Sequence, residues 1–293
     1  MIQETRTALE KAIQAKARPI KDLVGRDVLV INEHDADTIV RDLGLSLLDV
    51  YRVTLDLGIY PRRYLRNREG ISLPDQLKLA ESKVAIIGAG GLGGTVIQLL
   101  GRIGIGGLTV VDCDVFDETN LNRQVFCTRE WVGRPKALAV HEQMKAINPA
   151  VEVQAHVVRL DASNGSEILE GCQVLVDALD NVQDRLTLQS LARSLRAPLV
   201  HGAIAGFEGQ LMTIFPEDPG LKQLYGTGEE IGSAANRPEF LLGVPSITPS
   251  IVAALEAMEV LKILLNRGTP FRNKMVYIDL LQGEWSQFGF QGE

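Results

Sequence analysis

Two cations and a set of acids, all downstream of one glycine loop, carry the chemistry written in this sequence. Gly88, Gly90 and Gly93 form a G-x-G-x-x-G arrangement, with Gly91 inside it, directly after the apolar run Lys83 to Ile87. Glycines at such a place let backbone N–H groups at a helix N-terminus face an anion. Asp112 follows after about the interval at which a dinucleotide fold places its ribose contact. By itself the loop suits a nicotinamide or flavin enzyme as well as any other nucleotide. The next segment, VDCDVFDETNLNRQVF, goes beyond what a ribose contact requires. It holds Asp112 and Asp114 in a D-x-D pattern and a polar run, Asn120-Leu121-Asn122-Arg123-Gln124. Lys136 then falls in the first turn of a helix introduced by Gly133-Arg134-Pro135. Two cations converging on a glycine loop suit a triphosphate better than a pyrophosphate diester, although either alone reads equally as a surface cation. The stretch Val176-Asp177-Ala178-Leu179-Asp180-Asn181 sets acids where an apolar strand meets its loop, the edge at which open α/β sheets bind ligands. Asp180 there is placed to hold Mg²⁺ bridging phosphate oxygens, or to cap the helix that begins at Val182.

The elements that must position these residues follow from periodicity. From Lys83 onward, strand patterns alternate with helical ones. KVAII, LTVVDCD (Leu108 to Asp114), VEVQAHVV and QVLVDALD (Gln173 to Asp180) read as strands. GGTVIQLLGRIG, PKALAVHEQMKAIN and QDRLTLQSLARSL read as helices, the second bounded by Pro135 and Asn148-Pro149. APLVHGAIAGFEGQLMTIFP contains two further strand runs broken by glycines. ITPSIVAALEAMEVLKILLN is a long apolar helix, and KMVYIDLL is a closing strand. This alternation predicts a doubly wound, mostly parallel, Rossmann-like α/β sheet with antiparallel C-terminal strands. The segment at about 217–244, rich in Gly, Pro and polar residues, is too long for an ordinary connection and reads as a functional crossover. Residues 1–60 read as a small helical N-terminal extension, and 61–293 as the nucleotide-binding domain. The extension has a polar helix over about 3–17 and the apolar run DVLVIN. Two short helices follow, the first capped by Asp35 or Asp37, the second by Ser46.

Composition narrows the function classes. With 293 residues, 45% of them hydrophobic, the chain is long enough for one large core with an appendage. A net charge of −7 without Lys/Arg runs disfavours broad nucleic-acid binding. The helix–Gly44–helix arrangement is reminiscent of a helix-turn-helix, but Asp49 and Asp56 sit on its second helix. No apolar run reaches the length of a membrane span, and the charged N-terminus is not a secretory signal. Cys113, Cys127 and Cys172 form no C-x-x-C pair, which argues against a disulfide framework and a four-cysteine zinc site. A reducing cytoplasm is the default location.

Taken together, G-x-G-G-L-G, D-x-D, N-L-N-R-Q, G-x-P-K and D-x-x-D-N, in this order from about Tyr60 to Asp279, resemble the E1-like adenylyltransferases of the HesA, MoeB and ThiF type. These include enzymes that activate sulfur-carrier proteins in molybdopterin and thiamin synthesis, and the ubiquitin-activating enzymes. The resemblance implies that a carboxylate attacks the α-phosphate of ATP, releasing pyrophosphate and leaving an acyl-adenylate. The usual carboxylate is the C-terminal glycine of a small ubiquitin-like sulfur-carrier protein ending in Gly-Gly. It further implies that the glycine loop, including Gly91, lies against the nucleotide and that Asp112 takes the ribose hydroxyls. Asn120, Arg123 and Lys136 contact phosphates, and Asp180, accompanied by Asn181, orders Mg²⁺. Arg63-Tyr64-Leu65-Arg66-Asn67 resembles the family's R-Y-x-R-Q, whose second arginine reaches the other subunit's site, so Arg66 is expected to act in trans in a homodimer. Asn67 departs from that pattern. An ionised carboxylate needs charge neutralised, not a general base, so His141 and His201 are read as structural.

Two departures sharpen the expectation. Relatives with a structural zinc carry C-x-x-C soon after the strand that resembles GQLMTIFP; here EDPGLKQLYG follows, without cysteine. No structural zinc is expected. The crossover also lacks cysteine, so activation is expected to stop at the adenylate, with a separate sulfur donor protein. The alternatives are adenylation of a small-molecule or tRNA-linked carboxylate, an NAD-dependent oxidoreductase, and a non-catalytic scaffold.

Overall fold

The computed structural model describes residues 3–226 and 241–290. Of the expected crossover, 227–240 lie outside the described residues. The chain divides into two compact units.

The first unit takes the chain up to Ser82, together with Gly101–Gly107 and Lys145–Glu152. Its elements are α1 (Gln3–Lys16), β1 (Arg18–Lys21), β2 (Asp27–Ile31), α2 (Glu33–Leu43), α3 (Leu47–Asp56), β3 (Tyr60–Pro61), a 3-10 turn (Arg62–Asn67) and α4 (Leu73–Ala80). α1 and α3 follow the sequence expectation, α2 starts at Glu33 rather than near Thr38, and α4 is additional; Ser46 caps α3 by accepting the Asp49 N–H at 3.0 Å. The cap of α2 differs. Asn32, not Asp35 or Asp37, accepts the Asp35 N–H at 2.8 Å. Asp35 therefore falls inside the first turn, where a carboxylate complements the helix dipole, and lies 3.7 Å from both Lys16 and Arg18. A three-stranded sheet, β1-β2-β3, accompanies the helices. Its strands were not separable from loop by pattern because β1 is almost wholly exposed and β3 has only two residues. Leu9 and Ile13 of α1, Ala36 and Ile39 of α2, and Val50 and Tyr51 of α3 form this unit's core.

The second unit comprises Lys83–Leu100, Leu108–Met144 and the chain from Val153. Its sheet is built from β4 (Lys83–Ile87), β5 (Gly107–Val111), β6 (Glu152–His156), β7 (Val174–Asp177), β8 (Leu199–Ala205), β9 (Glu208–Ile214), β10 (Lys274–Asp279) and β11 (Glu284–Gly289). The strand order is β11-β10-β9-β8-β7-β4-β5-β6. β7 lies parallel between β4 and β8, and pairing turns antiparallel from β8 through β11. Central strands buried on both faces are near-continuous apolar runs: Val84, Ala85 and Ile86 in β4 and Val174, Leu175 and Val176 in β7 are wholly buried. The helices are α5 (Gly91–Ile103), α6 (Lys136–Ile147), the single turn α7 (Gly165–Ile168), α8 (Val182–Ser194), the single turn α9 (Lys222–Tyr225) and α10 (Ile247–Leu265). α10 packs on β8 and β9. Among the described residues no helix is long and apolar enough to cross a membrane.

Three strands depart from expectation, the first being β7, which ends at Asp177 rather than Asp180. β5 ends at Val111 rather than Asp114, because the Asp112 carboxylate takes the Asp114 N–H at 2.8 Å and turns the chain out of the ladder. β11 adds a strand after the one expected to close the chain; its EWSQFG residues are mostly exposed and lack a strand-like alternation.

Candidate active site

The glycine loop is shaped by backbone contact. Gly88 adopts φ +98°, and a Cβ at Gly93 would lie 1.9 Å from the Gly88 carbonyl oxygen. No other residue fits at Gly93 without displacing the turn. The loop thereby opens the N-terminus of α5 onto a cleft of about 1330 Å³. Gly88, Gly90 and Gly91 line it, as do Asp112, Asp114, Arg123, Lys136, Asp180 and Asn181. The strand ends of β4, β5 and β7 bring these positions together, as expected at the carboxyl edge of such a sheet.

At the β5 end, Asp112 accepts the Ala89 N–H at 2.7 Å with one oxygen and the Asp114 N–H with the other. Burial pushes its carboxyl above the usual range, against the opposing effect of Lys136. Lys136 is buried and donates to Asp114 at 2.9 Å. Arg123 donates to the Thr119 carbonyl and the Asn122 amide oxygen, each at 2.9 Å. Among the described residues no carboxylate lies within ion-pair distance of it. Gln124 also faces the cleft, and its buried amide oxygen has no partner among the described residues. Cys113 lines the cleft and is exposed, whereas Cys127 and Cys172 are buried.

At the β7 end, Asn181 caps α8 by accepting the Asp184 N–H at 2.9 Å. Asp180 is not the cap; its carboxylate is exposed at the cleft. One carboxylate beside phosphate oxygens is how Mg²⁺ is commonly held, since it keeps waters and phosphate ligands in place of an all-protein cage. Asp180 fits that demand. Among the described residues no group of three or more His, Cys, Asp or Glu side chains is arranged to hold a metal by itself.

Three expected positions lie elsewhere. Gly93 packs against Gly88 and does not line the cleft. Asn120 is buried behind the wall, its side chain accepting the Asp117 N–H at 3.0 Å in a capping box. Arg66 belongs to the first unit, exposed on the 3-10 turn without an ion pair among the described residues. Its neighbour Arg63 is engaged with Glu33 and the Ile147 carbonyl.

Beside the cleft lies a polar cluster that sequence reasoning did not assemble. Asp177 and His201 are both fully buried, with His201 Nδ1 2.8 Å from Asp177 Oδ2. Burial holds the imidazole below its usual pKa, against the pull of Asp177. Arg185 and Tyr225 complete the cluster and line the cleft with Arg159 and Gln210. Arg185 had one local signal: a cation in the first turn of α8 opposes the helix dipole, a placement that points to a partner outside the helix. On the far face of β8, Glu256 of α10 presses against Gly202, where a Cβ would lie 2.6 Å from Oε1. Neither Glu256 oxygen has a hydrogen-bond partner among the described residues. Burial, reinforced by Asp177, raises its pKa well above the ordinary value, against the opposing effect of Arg185.

The ThiF family pattern matches residues 64–292 of the chain. The chain belongs to the ThiF family. This ThiF-family chain is 38% identical over 206 residues to the SAMP-activating enzyme E1 of Haloferax volcanii, spanning 70% of this chain and 76% of that one. It is 36% identical over 236 residues to the sulfur carrier protein adenylyltransferase of Thermus thermophilus, spanning 78% and 86% respectively. Among solved structures, E. coli MccB with ATP superposes with a TM-score of 0.65 at 18% identity, covering 89% of this chain and 80% of that one. That likeness establishes a shared fold. The expected E1-like adenylyltransferase architecture is the one observed.

Proposed function

We propose that this ThiF-family chain is an ATP-dependent adenylyltransferase that activates the C-terminal glycine carboxylate of a small ubiquitin-like sulfur-carrier protein. The acyl-adenylate forms and pyrophosphate leaves. The observation that carries this reading is the convergence of the glycine loop, Arg123, Lys136 and Asp180 on one cleft. The names of the archaeal and bacterial relatives support the carrier-protein substrate.

The chain's own residues account for the chemistry required. Backbone N–H groups at the start of α5 face the phosphates, and Asp112 holds the ribose hydroxyls. Attack by an anion on a polyanion is limited by repulsion, and fixed cations lower that barrier without reorganising. Arg123 supplies a guanidinium that no carboxylate among the described residues pairs with, and Lys136 swings from Asp114 to phosphate. When bound, Mg²⁺ neutralises charge on the phosphates, anchored by Asp180. Asn120 contributes by holding the loop that carries Arg123, whose N–H bonds to the Asn120 carbonyl at 3.1 Å.

The enzyme works in the cytoplasm as a homodimer in which Arg66 completes the partner's site. It holds no structural zinc, and a separate protein donates sulfur to the adenylate. Mixing inactive Arg66→Ala and Lys136→Ala subunits should restore about a quarter of native activity, since each hybrid dimer has one intact site.

The reading is tested by exchange of labelled pyrophosphate into ATP. Exchange should require Mg²⁺ and a carrier protein ending in Gly-Gly, and vanish when the last glycine is removed. Exchange driven instead by a small or tRNA-linked carboxylate would replace the carrier-protein substrate.

A further inference from the structure

The hydroxyl of Tyr225, at the end of α9, closes a hydrogen-bond circuit beside the cleft. Arg185 Nη1 donates to it at 2.9 Å and Gln210 Nε2 at 3.3 Å. His201 Nε2 lies 3.3 Å away. A phenol has two lone pairs and one proton. Two incoming N–H groups use the lone pairs, and His201 Nε2, 3.3 Å away, is placed to accept the Tyr225 proton. His201 then carries its own proton on Nδ1, facing Asp177 Oδ2 at 2.8 Å. The other Asp177 oxygen accepts the Leu179 N–H at 3.1 Å. Arg185 Nε and Nη2 donate to the Leu179 carbonyl at 3.2 and 2.6 Å. Both backbone polar groups of the residue immediately before Asp180 are thus held by one circuit, and Tyr225 joins its two arms.

We propose that Tyr225 is a positioning residue: by joining Arg185 to His201 it fixes the Leu179 backbone and so aims the Asp180 carboxylate at the metal-bound phosphates. The inference rests on the proposed adenylation only for the task given to Asp180. Its physical basis is the placement of the groups. Asp177 is fully buried and Arg185 nearly so, 3.9 Å apart. Arg185 stands at the helix end that repels it. Such an arrangement is unfavourable for a helix start alone, and it becomes intelligible when its output is the geometry of the loop that follows β7. Tyr225 also brings the turn α9 into the same circuit, so the seating of α9 bears on the phosphate end of the cleft.

Tyr225→Phe tests this with little risk to folding. It removes one oxygen and keeps the edge-on packing against His201 and the stacking of Arg185 over the ring, at 5.9 and 5.7 Å between centres. Calorimetry should show binding of ATP with Mg²⁺ weakened about tenfold, the loss expected for one buried hydrogen bond. Binding of metal-free ATP should stay within about twofold, because Asp180 is then not engaged. The half-saturating Mg²⁺ concentration for pyrophosphate exchange should rise in parallel with the loss of affinity. His201→Asn retains an N–H toward Asp177 but, being shorter than the imidazole, places no acceptor at the Nε2 position that faces Tyr225. It should reproduce the same split, and the double variant should be no worse than either single one. Equal losses with and without Mg²⁺, an unchanged affinity, or additive single effects would each overturn the proposal. If His201→Asn does not fold, Tyr225→Phe alone decides. Wild-type protein that binds ATP with Mg²⁺ but shows no carboxylate-dependent exchange would refute the adenylation, while the calorimetric split would still decide the role of Tyr225.

Discussion

Asp112 and Asp177 are both aspartates at the carboxyl end of a sheet strand, and each accepts a backbone N–H two residues on or nearby. Their surroundings part them. Asp112 faces the cleft, close to a lysine whose own partner, Asp114, is largely exposed. Asp177 has no exposure and is closed in by His201, Arg185 and the buried Glu256. A strand-end acid with an open side is equipped to hold a ligand. A strand-end acid sealed by protein is equipped to hold its neighbours in place. The two roles meet within one short loop, where sealed Asp177 and exposed Asp180 are separated by two residues.

The contrast can be broken by substitution. Asp180→Ala should lower pyrophosphate exchange by about 10²–10³-fold. The same protein should unfold in urea within about 0.5 kcal/mol of wild type, as expected for an exposed side chain. A large loss of stability would move Asp180 to the sealed class. Asp177→Asn should do the reverse first, costing about 3–5 kcal/mol in urea unfolding because the buried Asp177–Arg185 ion pair is broken. A stable Asp177→Asn protein would deny that the cluster is built around that charge.

Two smaller effects sharpen the same comparison. Glu256→Met should stabilise the protein by about 1–3 kcal/mol at pH 7.5, by removing a buried carboxyl that has no hydrogen-bond partner among the described residues. In the unfolded chain this acid ionises above its ordinary pKa of 4.5, while burial in the folded protein raises its pKa well above that value. Folding at neutral pH therefore takes up a proton, and the native Glu256 becomes a growing burden as pH rises from 4.5. The gain from Met should accordingly be smaller at pH 5 than at pH 7.5, and a gain independent of pH would mean that the native carboxyl is charged. His201 has the opposite slope. Its folded pKa is depressed below 6.5, so stability is fully present above that pH and declines as pH falls below it, where the unfolded imidazole protonates first. His201→Asn should flatten that portion of a pH–stability curve, and persistence of the slope would assign it to another group.

Much of this site is legible in the sequence because it is built from local grammar. A glycine loop between an apolar strand and a helix has few other uses, and Lys136 follows a Pro-led helix start. His201 was read as structural, but the surroundings of Glu256 and His201 were not legible. Each sits in an apolar run, and the register of β8 against α10 that brings Glu256 onto Gly202 is a tertiary fact. Asp177 and Asp180 look alike in Val-Asp-Ala-Leu-Asp-Asn; only the burial of β7 to its last residue tells them apart. The cap at Asn181, one residue beyond the alternative considered for Asp180, was within reach, since Asn is as good a cap as Asp. Edge strand β11 was hidden by its exposure, for a strand that buries neither face carries no periodic signal.

The placement of the three thiols offers a native reporter. Cys113 is exposed on the cleft wall between Asp112 and Asp114, while Cys127 and Cys172 are buried. Acidic neighbours and partial burial keep its thiol from ionising readily, so alkylation by a small maleimide should be slow and selective for this one position. An occupant of the ribose end would shield it. The rate of Cys113 labelling then becomes a gauge of nucleotide occupancy that needs no turnover, no radioactive phosphate and no engineered probe.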